Sequence, residues 1–141
     1  TDGGMFFSEK GEELKKFNTR DGMGIELLHN KKIPVILITK EKSKIVLARA
    51  KKLLIKEAFI GIKKKESLLP KICKKYKIKN NNIAYIGDDI NDLEILKQVG
   101  LSASPKDGVI DIKKNSDYVC KSKGGEGVLR EIADLIISFK E

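Results

Sequence analysis

Two short runs carry residue types able to do chemistry. Gly87-Asp88-Asp89 follows the apolar run 83–86, with Asn91 and Asp92 just beyond. Adjacent carboxylates are costly unless a cation or hydrogen-bond donors satisfy them. An oxygen-only pair suits Mg²⁺, which keeps several waters and needs only one or two carboxylates. The same aspartates would also serve as caps of a following helix, so spacing alone leaves both readings open. Thr39 ends a second apolar run, 34–38, and its hydroxyl and backbone N–H are suited to a phosphoryl oxygen. Gly124-Gly125-Glu126-Gly127 precedes a helical pattern whose first N–H groups could receive an anion, a plain loop being the alternative. No Walker-type phosphate loop is present.

The elements that must position these groups alternate between strand and helix. Residues 5–7 and 14–17 read as a hairpin around Ser8-Glu9-Lys10-Gly11. Asp21 can cap a helix running to about Asn30, with Ile25 and Leu28 on its inner face and His29 complementing the dipole. The run 34–38 suits a parallel strand covered on both faces. A helix with Ile45, Ala48 and Leu53 on one stripe follows, then a strand at 58–60 closed by Gly61. A helix over 64–76 is either kinked at Pro70 or begins later. A loop at 79–82, a buried strand at 83–86 and a helix over 91–98 come next. Strands at 101–103 and 118–119 and a closing helix over 127–139 complete the pattern. The expectation is an α/β fold: a Rossmann-like parallel sheet, helices on both faces, a protruding β-hairpin, and ligands beyond the carboxyl ends of the strands.

Composition narrows the function. The 141 residues suit one compact domain, 1–141, and 40% hydrophobic with 35% charged residues is a globular balance. Apolar runs are too short to cross a bilayer, and no signal or lipidation pattern is seen, so a cytoplasmic location without membrane association is expected. The net charge of +9 invites a nucleic-acid reading, but all except Arg20, Arg49 and Arg130 of the 29 basic residues are lysines scattered over polar helix faces. With no Trp and few Tyr and Phe there is little stacking platform either. A basic field that attracts anionic substrates fits better. Cys73 and Cys120 lack metal-site spacing and read as buried thiols.

Several stretches, in order and with compatible spacing, carry a resemblance. They are Thr1-Asp2-Gly3-Gly4, Lys16-Phe17-Asn18-Thr19-Arg20-Asp21-Gly22, Ile38-Thr39, Ala84-Tyr85-Ile86-Gly87-Asp88-Asp89 and Gly124-Gly125-Glu126-Gly127. Together they resemble the haloacid dehalogenase superfamily, and within it the small cap-less phosphatases of 3-deoxy-octulosonate 8-phosphate and related nine-carbon ulosonates. They are also similar to the phosphatase-like domain that follows some acylneuraminate cytidylyltransferases. The resemblance implies an aspartate nucleophile, a second aspartate two residues later as acid and base, and Mg²⁺ as cofactor. It makes Thr39 the phosphoryl-binding threonine, Lys65 the neutralising lysine, and Asp88 the Mg²⁺ ligand with Asp89 beside it. Lys63 and Lys64 leave the register of that lysine open.

In the family the paired aspartates sit on a first strand just before the Thr-Asp-Gly stretch. Here that stretch is Thr1-Asp2-Gly3, so Asp2 is on the wrong side of it, and the expectation is an N-terminally truncated, inactive chain lacking the first strand. Asn18, Thr19, Arg20, Asp21 and Gly22 are implied to lie beside the substrate, where Arg20 and Arg49 would fork onto a sugar carboxylate. Glu41 and Lys52 look like the pair found in 2-keto-3-deoxy-nononate 9-phosphate phosphatases, and Lys40-Glu41 replaces the Gly-Arg of the octulosonate branch. Cap-less relatives assemble tetramers through the hairpin, and Met5, Phe6 and Phe7 would supply its apolar tip. The expected partners are a phosphorylated sugar acid and three further copies of the chain. The rival reading is a non-catalytic tetramerisation domain attached to a cytidylyltransferase.

Overall fold

A computed structural model describes residues 1–139, which fall into two compact units. The first comprises Thr1–Ile62 together with the segment from Gly124 onward; the second is Lys63–Lys123.

In the first unit, β1 (Phe6–Ser8) and β2 (Gly11–Leu14) form an antiparallel hairpin with an irregularity between Phe6 and Phe7. The second arm therefore starts at Gly11 and stops at Leu14, short of the expected 14–17. Gly11 has φ near +109°, which lets the chain turn within two residues. Met5, Phe6, Phe7 and Leu14 are exposed at 44, 69, 71 and 62%. Helix α1 (Thr19–Asn30) begins two residues before the expected cap, because the Asn18 side chain accepts the Arg20 N–H at 2.8 Å.

Strand β3 (Ile36–Ile38), helix α2 (Lys44–Lys52) and strand β4 (Glu57–Phe59) follow. β3 and β4 pair in parallel, Ile36 with Glu57 and Ile38 with Phe59. Among the described residues β3 has no second neighbour, so its side chains are half-buried rather than covered on both faces. The inner stripe of α2 is Val46 and Ala50; Ala48, expected on the inner stripe, is exposed on the opposite side of the helix, two positions from each of them. Ile25, Ala50 and Ile55 form the core of this unit, with Val35, Leu37, Leu53, Ala58 and Leu129 packed on it.

The second unit opens with a 3₁₀ turn, Lys65–Leu68, that passes into α3 (Leu69–Tyr76). Pro70 sits in the first turn of α3, where its missing N–H costs nothing. Strand β5 (Ala84–Ile86), a 3₁₀ turn at Ile90–Asp92, α4 (Leu93–Leu96), β6 (Leu101–Ser104), α5 (Ile110–Lys114) and β7 (Tyr118–Val119) complete it. α5 is an element that weak apolar patterning over 110–114 did not announce. β5, β6 and β7 form a parallel ladder in that order, and β5, bordered on one side, is half-exposed rather than buried. Ile72, Ile95, Leu96, Ala103, Ile112 and Cys120 are buried.

Helix α6 (Val128–Ser138) returns the chain to the first unit. Its backbone lies so close to α1 that a Cβ on Gly24 would stand 2.9 Å from the Arg130 Cα. The parallel strands and flanking helices are those of the expected α/β class. No helix is long and apolar enough to cross a membrane.

Candidate active site

Strand β5 ends at Gly87, and the chain must turn sharply there around the side chain of Asp92. A Cβ at Gly87 would lie 2.5 Å from the Asp92 Cβ, so this position takes only glycine without displacement. Asp92 is 2% exposed and is the hub of the second unit's polar residues. Its Oδ1 accepts from Lys65 Nζ at 2.6 Å and from the Tyr85 hydroxyl at 2.6 Å. Its Oδ2 accepts the backbone N–H of Asp88 at 3.1 Å and, more weakly, of Asp89 at 3.4 Å. A buried carboxylate with four donors is a satisfied one.

Burial separates the members of the lysine run. Lys63 and Lys64 are exposed, whereas Lys65 is 7% exposed and also reaches Asn91 Oδ1 at 3.4 Å. Burial, the charge of Asp92 and the hydrogen bond to it push the Tyr85 phenol far above its ordinary range, so it stays a donor.

Asp88 and Asp89 diverge. The Asp89 carboxylate turns back to accept the Ile90 N–H at 2.7 Å and caps the 3₁₀ turn. The Asp88 carbonyl accepts the Val109 N–H at 3.0 Å, but its carboxylate accepts no hydrogen bond from a protein donor among the described residues. Although its residue surface is largely exposed, its carboxyl sits against enough protein that partial desolvation raises its pKa, with Asp92 and Asp89 adding to the rise and Lys65 opposing it. A carboxylate in that condition is improved by a cation. The donor set, one free carboxylate with an acidic neighbour, fits a hard divalent ion that retains waters. Among the described residues no three or more His, Cys, Asp or Glu side chains gather into a closed metal cage.

In the first unit, Asn18, Gly22 and Arg49 of the expected ligand set lie together. Asn18 Nδ2 donates to the Gly125 carbonyl at 3.1 Å, and the Asn18 carbonyl accepts from Arg49 at 3.3 Å. Arg49 also lies over the Phe17 ring, 5.4 Å from its centroid. Gly22 leaves room for that guanidinium, since a Cβ there would be 3.2 Å from Arg49 Nη2. Asp21 does not cap its own helix; its Oδ1 accepts the N–H groups of Leu129 and Arg130 at 3.0 and 3.2 Å. The start of α6, which the sequence leaves open between an anion receiver and a plain loop, already holds one of the chain's own carboxylates.

Thr39 differs in one respect from the sequence expectation. Its backbone N–H donates to the Phe59 carbonyl at 2.9 Å and is committed to the strand end, so only the hydroxyl is free to donate. The hydroxyl oxygen accepts the Glu41 N–H at 3.1 Å. Thr19, Arg20, Glu41 and Lys52 are exposed. Asp2 accepts the Gly4 N–H at 3.0 Å and lies 3.5 Å from Lys16, contacts that lower its pKa. Cys120 is buried, as expected, whereas Cys73 is only half-buried and its thiol donates to Asn80 Oδ1 at 3.1 Å. Asp92 and Tyr85 were not singled out as site residues from the sequence; the available signal was the four-residue spacing of Asp88 and Asp92 across one turn.

Comparison with known proteins identifies the family. A family model of haloacid dehalogenase-like hydrolases matches residues 37–132. The 3-deoxy-D-manno-octulosonate 8-phosphate phosphatase of Escherichia coli K12 is 36% identical over 137 residues, covering 97% of this chain and 73% of its own length. The crystal structure of the Yersinia pestis phosphatase of the same name superposes with a TM-score of 0.94 at 36% identity, over 98% of this chain and 75% of that one. The Moraxella catarrhalis phosphatase, solved with a magnesium ion, a phosphate ion and KDO, gives 0.92 at 34% identity over 97% and 79%. The chain therefore belongs to the haloacid dehalogenase-like hydrolases and, within them, to the family of 3-deoxy-D-manno-octulosonate 8-phosphate phosphatases.

Proposed function

We propose that the chain serves a Mg²⁺-dependent phosphomonoesterase acting on a phosphorylated 3-deoxy-2-ulosonic acid through an aspartyl-phosphate. The observation that carries this reading is the Asp88 carboxylate at the end of β5, which accepts from no protein donor among the described residues, next to the strand end whose amides bond the buried Asp92 of the Lys65–Asp92 pair. The magnesium ion bound by the Moraxella relative supports the same cofactor here. Asp88 would hold it, with Asp89 beside it, and the ion supplies positive charge against the phosphoryl oxygens. Lys65 contributes a fixed ammonium: at about 4 Å from a phosphoryl oxygen such a charge is worth roughly 4 kcal/mol before desolvation at an effective dielectric near 20. The Thr39 hydroxyl donates to a phosphoryl oxygen, and Arg20 and Arg49 bind the sugar carboxylate. Asn18 and Asp21 position loops and a helix, as their hydrogen bonds already do.

The nucleophile and the acid/base are not among these residues, since no Asp-x-Asp occurs in the 141. The 141-residue chain alone is therefore expected to release no phosphate, and release would overturn that assignment. A chain carrying an Asp-x-Asp-Gly strand ahead of Thr1 is expected to release phosphate with Mg²⁺.

For the sugar, Glu41 and Lys52 favour a nine-carbon acid, a glutamate accepting from substrate hydroxyls or an amine where an arginine would take a carboxylate. In that active chain, Glu41→Arg should move kcat/KM towards the eight-carbon substrate. An unchanged ratio between the two substrates removes Glu41 from selectivity.

A second reading, an assembly domain without catalysis, is favoured by the exposed Met5, Phe6, Phe7 and Leu14 of the hairpin. A tetramer by sedimentation together with no hydrolysis by the Asp-x-Asp chain would support it over the enzyme. Monomer alone at micromolar concentration would remove the tetramer from both readings.

A further inference from the structure

Around Asp92 the Tyr85 hydroxyl is a group that the proposed chemistry does not use. It hydrogen-bonds Asp92 Oδ1 at 2.6 Å from a different direction in the chain than Lys65, which reaches the same oxygen at 2.6 Å. Asp92 also abuts Gly87, so its Cβ has little freedom to shift. With Cβ confined, the orientation of the carboxylate rests on what its oxygens bond. Oδ1 is held by the two side-chain donors, and Oδ2 is thereby aimed at the N–H groups of Asp88 and Asp89.

Of the two donors on Oδ1, Lys65 is a long chain with several rotatable bonds. Tyr85 is a stiff ring rooted in β5, whose backbone is fixed by register with Ser102. The stiffer donor sets the angle.

We infer that Tyr85 is a positioning residue for the Asp88–Asp89 strand end, acting through Asp92. The chain of contacts is Tyr85 hydroxyl, Asp92 Oδ1, Asp92 Oδ2, then the Asp88 and Asp89 amides. Its consequence is that the peptide carrying the Asp88 carboxylate is held in one orientation before any cation arrives. The inference rests on the functional reading above only where it makes Asp88 a cation ligand; the positioning itself concerns the chain without ligand.

The experiment is Tyr85→Phe in the 141-residue chain, which keeps the ring and removes one oxygen. Amide hydrogen exchange is followed by NMR without metal, and Mg²⁺ is then titrated into both proteins. The control amides are Leu101, which donates to the Ile83 carbonyl, and Cys120, which donates to the Ser104 carbonyl. The expected result is exchange at Asp88 and Asp89 about tenfold or more faster, with Leu101 and Cys120 unchanged. Where wild type binds Mg²⁺, its Kd is expected to weaken by about tenfold, in the range typical of groups that orient metal ligands.

Unchanged exchange at Asp88 and Asp89 overturns the inference. Equal acceleration at Leu101 and Cys120 also overturns it, because Tyr85 would then be only a stabilising residue of the sheet. Wild type that fails to bind Mg²⁺ counts against Asp88 as a cation ligand, while the exchange result still decides the positioning. Tyr85→Leu, which removes ring and hydroxyl together, should match Tyr85→Phe at Asp88 if the hydroxyl is what acts.

Discussion

Two ion pairs of like chemistry sit in very different surroundings. In the second unit Lys65 meets Asp92 at 2.6 Å with side chains 9 and 2% exposed. In the first, Arg130 meets Asp134 at 2.9 Å along one face of α6 with side chains 37 and 54% exposed. Water screens the second pair and would solvate either partner left alone, so its net worth is small. No such rescue exists for the first, where each charge depends on the other and on the Tyr85 hydroxyl and two backbone amides. The difference explains why one pair is tied to a strand end that must hold its shape, while the other decorates a helix.

The largest effect is expected from breaking the buried pair. Asp92→Ala should cost about 3–5 kcal/mol in urea unfolding by stranding Lys65, whereas Asp134→Ala should cost under about 1 kcal/mol. Comparable losses would abolish the distinction between the two regions.

The glycines sharpen the same contrast. Gly87→Ala drives a Cβ into Asp92 and should destabilise by about 1–3 kcal/mol. Gly24→Ala presses α1 against the Arg130 backbone at similar cost, but an alanine mid-helix returns up to about 1 kcal/mol of propensity, so its net loss should be the smaller. Thermal melts of the two variants decide the order.

Smaller still is the loss of the carboxylate that caps α6. Asp21→Ala should cost about 1 kcal/mol, and Asp21→Asn, which keeps an acceptor, should recover most of it.

The smallest effect concerns acid. Asp117 accepts from the Ser102 N–H and hydroxyl at 2.8 and 2.7 Å, which lowers its pKa in the folded chain. A lowered folded value means stability that is present above the ordinary carboxylate range and is lost as pH falls through the folded value. Asp117→Asn should therefore flatten the decline of stability below about pH 4. An unaltered acid limb would show that this exposed carboxylate contributes nothing measurable.

Much of this was legible in the residues. Alternating apolar runs and helical periods gave the α/β class, because a strand between two helices must pair in parallel and bury what it can. Gly87-Asp88-Asp89 announced a polar strand end, while Lys65 was pointed to only by the family resemblance. Boundaries were less legible: Asn18 rather than Asp21 starts α1, since which of two good caps is used depends on what else each can reach. Asp21 reaches α6, 108 residues away in sequence, a contact no local pattern encodes.

Sequence by itself thus determined the element types, the superfamily resemblance and the chemical inventory: carboxylates, a threonine and lysines suited to phosphate chemistry. Tertiary structure decided which members of that inventory are bound to one another. It chose Lys65 over Lys63 and Lys64 by burying one ammonium against Asp92. It spent the Thr39 amide on Phe59, and among the described residues it left the Asp88 carboxylate without a protein donor while turning Asp89 into a cap. Residue type fixes what a side chain can donate or accept; only the packed chain fixes which partners are within hydrogen-bond reach and which water is excluded.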